Sequence, residues 1–416
     1  MIAVLLLLLA ILGAPLFAVI AASALSGFYG QEVDLQVVAI EIYRITDTPI
    51  LIAIPLFTFA GYLMGESGTP KRLVRLSRAL FGWMPGGLPV VALLACAVFT
   101  SLTGASGVTI IALGGLLYPA LKEDGYSDNF NLGLLTTSGS LGLLFAPAIP
   151  LILYGIIAEV NIDHMFRAGI LPGLLMIFLL SAYSVQRAVA LKIPLRKFEW
   201  KEAWGAIRET IWEIPLPFVI LGGIYAGFFA ISEAAAVTAA YVLFVEMAIY
   251  RETPWRKLPN IMRDSMILVG GILIILSVSY ASTNYMIDAE IPFKLLDFTR
   301  RHITSPLSFL IVLNIFLLAL GCMLDIFSAI VIVLPLLLPM ADEFGIDRVH
   351  LGIIFLANMQ IGYCTPPVGM NLFIASYRFN KPVVRLYFAT IPFLILLLLT
   401  VAVITYWPGL SLFLVK

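Results

Sequence analysis

"IGYCTPPVGMNLF", residues 361–373, lies in a chain otherwise dominated by Leu, Ile, Ala and Val. Its flanks have the composition of a membrane helix, yet it holds two glycines and an adjacent proline pair, Pro366 and Pro367. Proline lacks the N–H that a helix uses, and its ring clashes with the preceding turn, so carbonyls around Gly362–Pro366 lose their helical partners. In hydrocarbon such groups are tolerated only where other protein, water or an ion meets them. The stretch therefore reads as a break at mid-span, and the fold follows from asking what faces it.

Of 416 residues, 61% are hydrophobic and 12% charged, so lipid is the solvent for most of the chain. Residues 1–26 are apolar with no basic segment before Arg44, the first Lys or Arg, which favours a retained span over a cleaved signal peptide. Cys96, Cys322 and Cys364 lie in apolar stretches and read as small buried residues, with no disulfide framework. His164, His302 and His350 are expected in loops and have no metal-ligand spacing. No phosphate-cradling loop and no nucleophile triad is present, so ATP-driven pumping and hydrolysis find no support and an enzyme is not expected.

Hydropathy and helix breakers predict an all-α polytopic membrane protein. Full crossings are expected near 2–26, 48–66, 130–158, 165–190, 213–230, 233–250, 265–286, 349–377 and 383–407. Two further apolar stretches, 85–121 and 305–341, each consist of two arms of about 15 residues around a small or polar tip, too short to span comfortably. The tips are "TSLTGASG" (100–107) and "GCMLDIFS" (321–328), and both stretches read as re-entrant hairpins. With hairpins returning to their own side, eighteen Lys and Arg gather on one face: Lys71, Arg72, Arg75, Arg78, Lys122, six from Arg187 to Arg208, four from Arg251 to Arg263, Arg378, Lys381 and Arg385. The other seven are Arg44, Arg167, Lys294, Arg300, Arg301, Arg348 and Lys416. The positive-inside bias makes the richer face cytoplasmic, with the N-terminus inside and the C-terminus outside.

The chain also repeats itself at a separation near 220. Pro119 maps to Pro339, Gly125 to Gly345, Pro147 to Pro367 and Pro172 to Pro392. The order span, amphipathic arm, hairpin, broken span, span recurs, with an odd number of crossings between equivalents, so the halves are inverted. The reading divides the chain into a first span and connector (1–47), a first repeat (48–190: arm 68–83, hairpin 85–121, broken span 130–158), a central segment (191–264) and a second repeat (265–416: arm 290–304, hairpin 305–341, broken span 349–377). Inverted repeats with broken helices characterise secondary transporters, whose sites lie between repeats near the midplane.

The candidate site follows from the breaks. "GSLGLLFAPAIPLILYG" (139–155) matches the opening stretch, so carbonyls near Gly142–Pro147 join those near Gly362–Pro366. Carbonyls with Ser and Thr hydroxyls form a hard oxygen cage suited to Na⁺, while half-helix N-termini face an anionic substrate. The first tip offers Ser101, Thr103 and Ser106, with Gly104 and Gly107 permitting close backbone approach. On the second, Asp325 is the only carboxylate between Arg301 and Asp342; it reads as an ion or substrate ligand, and also as a helix cap. Thr136, Thr137, Ser138 and Ser140 precede the first break, Asn358 and Gln360 the second, and these either line the cavity or bond between helices. Glu233 reads as a first-turn carboxylate stabilised by the helix dipole, and Glu246 and Asp47 as solvated near the interfaces. The charged run 196–210 reads as an interfacial helix.

"SLTGASGVTIIALGGLLYPAL", "LGLLFAPAIPLILYG", "ISEAAAV", "LDIFSAIVIVLPLLLP" and "IGYCTPPVGMNLF", in this order along nearly the whole chain, resemble the large membrane subunit of tripartite ATP-independent periplasmic (TRAP) transporters. The resemblance implies Na⁺-coupled uptake of an organic acid such as a dicarboxylate or sialic acid. It also implies a small four-helix membrane subunit and a periplasmic substrate-binding protein. Carried over, the sodium sites are Thr103, Gly104 and Ser106 with Gly142 and Pro147, and Asp325 and Ser328 with Gly362, Thr365 and Pro366. Substrate contacts are expected from Ser106, Ser138, Ser140, Asp325, Asn358 and Thr365. The first tip departs from the more hydroxyl-rich "SGSS" of some members, carrying Ala105 and Gly107. The competing readings are a sodium/carboxylate symporter of related hairpin architecture that needs no binding protein and, from another class, a channel whose hairpins serve as pore loops.

Overall fold

A computed structural model describes residues 14–44, 49–193, 198–291 and 305–415, with Lys294, Asp297 and Ile303 between the last two segments. Among the described residues the regular structure is entirely helical. In chain order the helices are α1 (Leu16–Gly30), α2 (Gln36–Arg44), α3 (Ala53–Glu66, entered by a 3₁₀ turn at Pro49–Ile52) and α4 (Thr69–Phe81). The first hairpin is α5 (Gly87–Thr103) and α6 (Ser106–Glu123), and the first broken span is α7 (Asp128–Ser138), a 3₁₀ turn (Leu141–Leu144) and α8 (Ile149–Ile157). Next come α9 (Ile162–Ala190), α10 (Trp200–Glu209), α11 (Pro215–Tyr225), α12 (Ile231–Phe244, continued as a π turn at Val245–Ile249) and α13 (Leu258–Asp288). The second hairpin is α14 (Pro306–Met323) and α15 (Ile326–Glu343), and the second broken span is α16 (Arg348–Gly362) and α17 (Met370–Phe379), followed by α18 (Val383–Tyr406) and the short α19 (Pro408–Leu412).

By length and composition seven of these helices can cross a membrane, or eight counting α7–α8, a pair bent by 44°. The arms of the second hairpin, α14 and α15, are among the seven at 18 residues each, longer than the arms of about 15 expected. Their tip nonetheless stops halfway along the neighbouring broken span. A Cβ on Gly321, at the end of α14, would lie 3.1 Å from the backbone of Met359 and 3.2 Å from that of Gly362, where α16 ends. The first tip is placed likewise: a Cβ on Gly142 would lie 2.3 Å from the Ala97 carbonyl oxygen and 2.5 Å from the Ser101 nitrogen.

The 220-residue spacing is visible in local geometry. Pro119 and Pro339 both lie inside the second arm of their hairpin, and Pro172 and Pro392 inside the span after each break. Gly125 (φ +93°) and Gly345 (φ +67°) both take the left-handed turn that glycine tolerates. Ser127 and Asp347 both cap the helix that follows, and the Ala146–Pro147 and Pro366–Pro367 peptides are both cis. Ion pairs group the loops as the charge distribution does: Arg75–Glu209, Arg78–Asp124 and Arg385–Asp128 at one end, Arg348–Asp342 beside the Ala158 carbonyl at the other.

Several expectations are corrected. The crossing expected at 213–230 contains only the 11 residues of α11, about 16 Å of helix, because Pro215 opens it and Gly227 (φ +73°) ends it. Glu213 before α11 and Glu246 at the end of α12 both meet Arg72, so this pair leaves one face and returns to it, and the inversion of the halves is preserved. That contact also corrects Glu246 itself, which is 1% exposed rather than solvated. His164 and His350 lie in the first turns of α9 and α16, not in loops; His350 is buried, with Nε2 3.3 Å from the Thr405 carbonyl oxygen. Asp47, His302, residues 1–13 of the first span and most of the 290–304 arm lie outside the described residues.

α3, α12 and α13 associate, α1 adds to α13 through Phe28 against Tyr285 (ring centroids 5.7 Å apart), and the group also packs on the hairpins, α3 on α5 and α13 on α15. α9 packs against the first break: a Cβ on Gly169 would lie 2.0 Å from the Leu144 carbonyl oxygen, and one on Gly173 2.6 Å from the Phe145 ring. Its equivalent α18 packs on α7, its Gly133-facing surface including the Ala389 carbonyl and the Phe393 ring.

These close approaches can be tested directly. Gly142→Val and Gly362→Val are each expected to destabilise the protein by about 1–3 kcal/mol through overpacking. Gly270→Ala, where a Cβ meets nothing within 4 Å, should be neutral or stabilising. Thermal unfolding in detergent, followed by intrinsic fluorescence, measures both.

Candidate functional site between hairpin tips and helix breaks

Each break frees backbone groups, and each hairpin tip comes to meet them. At the first, α7 ends at Ser138, and Thr100 Oγ1 of α5 donates to the Gly139 carbonyl at 2.8 Å while sharing a 2.6 Å contact with Thr109 Oγ1 of α6. Gly104 ends α5 at φ +67°, and a Cβ there would strike the Ile149 side chain at 2.6 Å, so the tip lies against the first turn of α8. Thr103 is fully buried, its backbone so close to α3 that a Cβ on Gly61 would lie 2.5 Å away. Ser106 opens α6 and donates to Asn371 Oδ1 of α17 at 2.7 Å.

At the second site Asp325 caps α15, with Oδ1 accepting from the Phe327 and Ser328 nitrogens at 3.0 Å each and Oδ2 from the Ser328 hydroxyl. The Ile326 N–H, which the cap leaves over, donates to the buried Tyr363 hydroxyl at 2.6 Å. Tyr363 thus reaches from the second break into the second tip. Thr365 Oγ1 donates back to the Ile361 carbonyl at 3.0 Å, leaving oxygen lone pairs free to accept or ligate. Gly362 packs backbone to backbone on Gly321, its Cβ position 2.5 Å from it.

The two sites are joined through the middle. Ser140 Oγ donates to the carbonyl of Gln360, its own equivalent in the other repeat, at 3.2 Å. Asn371 receives Ser106 and sends its amide toward the Thr136 carbonyl at 3.4 Å, tying the first tip and the first broken span to the second. Asn371 and Tyr363 went unrecognised in the sequence reading. The signal for Asn371 was available: it is an amide just past a break, where the equivalent Leu151 is apolar.

The remaining expected residues divide. Ser138 is buried and donates to the Leu135 carbonyl at 3.3 Å. Asn358 faces α14, its amide donating to Asn314 Oδ1 at 2.7 Å and to the Ile354 carbonyl, with its own Oδ1 buried and unpartnered. Pro147 and Pro366 lie in the breaks themselves. Glu233 lies in the first turn of α12, as expected, and its Oε2 also accepts from the Ala230 nitrogen at 2.9 Å, closing that turn. Among the described residues no three His, Cys, Asp or Glu side chains cluster as a metal site, and the three cysteines are free and buried. What converges is carbonyls, hydroxyls, amides and one carboxylate: hard oxygen donors.

The sequence matches the family model described as "Tripartite ATP-independent periplasmic transporter, DctM component" over residues 1–410. The chain belongs to this family. The C4-dicarboxylate TRAP transporter large permease DctM of Rhodobacter capsulatus is 32% identical over 400 residues, covering 92% of this chain and 91% of its own length. That of Pseudomonas aeruginosa is 34% identical over 382 residues, covering 91% and 89%. The 2,3-diketo-L-gulonate TRAP transporter large permease of Escherichia coli is 32% identical over 367 residues, covering 88% and 86%. Among solved structures, the YdaH transporter of Alcanivorax borkumensis superposes with a TM-score of 0.62 over 90% of this chain and 88% of its own, at 15% identity, a likeness of fold. This DctM-family chain is thus a multi-pass membrane transporter component built on inverted repeats.

Removing a partner at either tip should strand a buried polar group. Asn371→Leu deprives Ser106 of its acceptor, and Tyr363→Phe leaves the Ile326 N–H unpaired; each is expected to cost about 1–3 kcal/mol. Melting in detergent measures the loss, and Tyr377→Phe, at a residue 88% exposed, serves as the control with little change.

Proposed function

We propose that this DctM-family chain is the permease of a Na⁺-coupled uptake system for an organic acid, working by an elevator mechanism. The observation that carries the reading is the pair of breaks 220 residues apart, each facing a hairpin tip and cross-linked by Ser106–Asn371 and Ser140–Gln360. Two equivalent tip–break junctions rich in oxygen call for at least two Na⁺ ions, one near Thr103, Gly104, Ser106 and the Gly142–Pro147 break, one near Asp325, Ser328, Thr365 and the Gly362–Pro366 break. Hydroxyls that already donate keep lone pairs for an ion. An anionic substrate then binds between the junctions, and its affinity is coupled to Na⁺ because both order the same tips. The named substrates of the relatives, C4-dicarboxylates and a diketo sugar acid, point to a carboxylate.

The moving body comprises both hairpins, both broken spans, and α9 with α18, which clasp the breaks. The fixed body comprises α1, α3, α12 and α13 with the arms, alongside a separate four-helix membrane subunit. A periplasmic binding protein delivers the substrate, as the name of the family implies. The charge distribution orients the chain in the bacterial inner membrane with its N-terminus cytoplasmic and its C-terminus periplasmic.

Uptake into proteoliposomes holding this chain, its membrane partner and its binding protein should require an inward Na⁺ gradient. Uptake that ignores Na⁺ refutes the coupling, and uptake by this chain alone selects the binding-protein-independent symporter. Asp325→Asn should reduce uptake to background with the fold intact, because Asn caps a helix as well as Asp does.

A further inference from the structure

A dense polar cluster lies away from the hairpin tips, where arm α4 meets the α11–α12 pair. Arg72 of α4 is 8% exposed. Its Nε donates to Glu213 Oε1 at 2.7 Å and its Nη2 approaches the same oxygen at 2.5 Å; Nη1 donates to Glu252 Oε2 at 2.6 Å. The guanidinium lies over the Tyr250 ring, 3.7 Å from its centroid. Glu246, in the π turn that ends α12, is reached by Arg72 only at 3.2 and 3.4 Å. Glu252, 40% exposed in its side chain, forms the rim and also accepts from the Gly68 nitrogen at 2.7 Å.

Thr69 sits at the centre and does not have enough hydrogens. Its hydroxyl oxygen is 2.8 Å from Glu213 Oε1, 2.8 Å from Glu246 Oε1 and 2.9 Å from Ser67 Oγ. The Thr69 oxygen also accepts from Arg72 Nη2 at 3.3 Å, and the Ser67 hydroxyl lies within 2.8 Å of the Met64 carbonyl. The two carboxylate oxygens thus compete for the one hydrogen that the Thr69 hydroxyl carries. With both carboxylates ionised, one of the two 2.8 Å contacts is a contact between lone pairs. Moreover, Glu213 is more than nine-tenths buried, and its Oε2 has no hydrogen-bond partner, so the cluster also lacks the donors to hold a second buried anion.

We infer that this cluster is a proton-binding site, with the proton on Glu246. The assignment follows from Arg72, which grips Glu213 twice at short range and Glu246 only weakly, making Glu213 the ionised member. Glu246 Oε1–H then donates to Thr69 Oγ1, and Thr69 donates to Glu213 Oε1. The buried charges balance as one guanidinium against one carboxylate, with Glu252 completing Arg72 at the rim. The proton comes from solvent and returns to it, and no covalent bond changes otherwise. The charged and titratable groups facing the site are Arg72 from α4, Glu213 and Tyr241 from the α11–α12 pair, and Tyr250 and Glu252 beyond the π turn. The Arg75–Glu209 pair is exposed nearby and does not enter it. Occupied, the site fastens α4 to the α11–α12 pair; emptied, it sets two anions on one hydroxyl and loosens that joint. Stability therefore falls as pH rises through the point at which Glu246 releases its proton.

Infrared difference spectroscopy of the purified protein at neutral pH tests this. Glu246→Gln should abolish one protonated-carboxyl band, and Glu252→Gln should leave it in place. The melting temperature of the unsubstituted protein should fall with rising pH, while that of Glu246→Gln stays level. Identical carboxyl spectra for the unsubstituted protein and Glu246→Gln, parallel melting profiles, or a band lost in Glu213→Gln instead would each overturn the proposal. Should Glu246→Gln fail to fold, Thr69→Val carries the test: removing the relay hydroxyl must shift the band, and an unshifted band counts against it.

Discussion

A carbonyl freed from its helix inside hydrocarbon must find another partner, and most of this structure follows from that requirement. Two spans are interrupted by prolines, and two hairpins end at those interruptions rather than passing them. Close approach is needed for a tip to satisfy a break, which explains glycine at 142, 321 and 362, where a Cβ would overlap backbone. The same requirement selects Thr100 and Tyr363, whose hydroxyls bridge tip and break where backbone alone does not reach.

The two sites solve the problem with different chemistry. The first tip is neutral and relies on hydroxyls and on an amide, Asn371, borrowed from the second repeat. The second concentrates its polarity in Asp325, whose two carboxylate oxygens cap the first turn of α15. A carboxylate at one site and none at the other means the two junctions differ in charge despite their common geometry.

What could be read from the sequence was what depends on local covalent geometry. A proline removes a helix donor, and where it falls beside glycines, as at Gly142–Pro147 and Gly362–Pro366, the helix stops, whereas Pro119, Pro172, Pro339 and Pro392 lie inside continuous helices; the matched spacing of both kinds made the broken spans, the hairpins and the 220-residue repeat legible. Asp325 as a cap was legible because its position before an apolar run defines it. Features that depend on distant segments meeting were not. Glu246 looks like an interfacial residue until Arg72, 174 positions earlier, is brought to it. The packing of α9 was equally hidden, since nothing in an apolar helix announces that Gly169 and Gly173 face a break. Asn371 departs from its apolar equivalent Leu151, and that departure, not the repeat itself, is the cue that singles it out.

The meeting of Ser140 with the carbonyl of Gln360 has a consequence for how the two halves diverged. Residues related by the repeat touch only where the pseudo-twofold axis passes between them, and here a side chain on one half is answered by backbone on the other. Backbone cannot be altered by a single substitution, so position 140 could change without a compensating change at 360. Off the axis, each half is free to substitute alone, as Ser138 against Asn358 and Leu151 against Asn371 show. A duplicated protein with a one-sided contact at its centre is released from internal symmetry there. Its two junctions could then specialise for different ligands while the axis that holds them in register stayed intact.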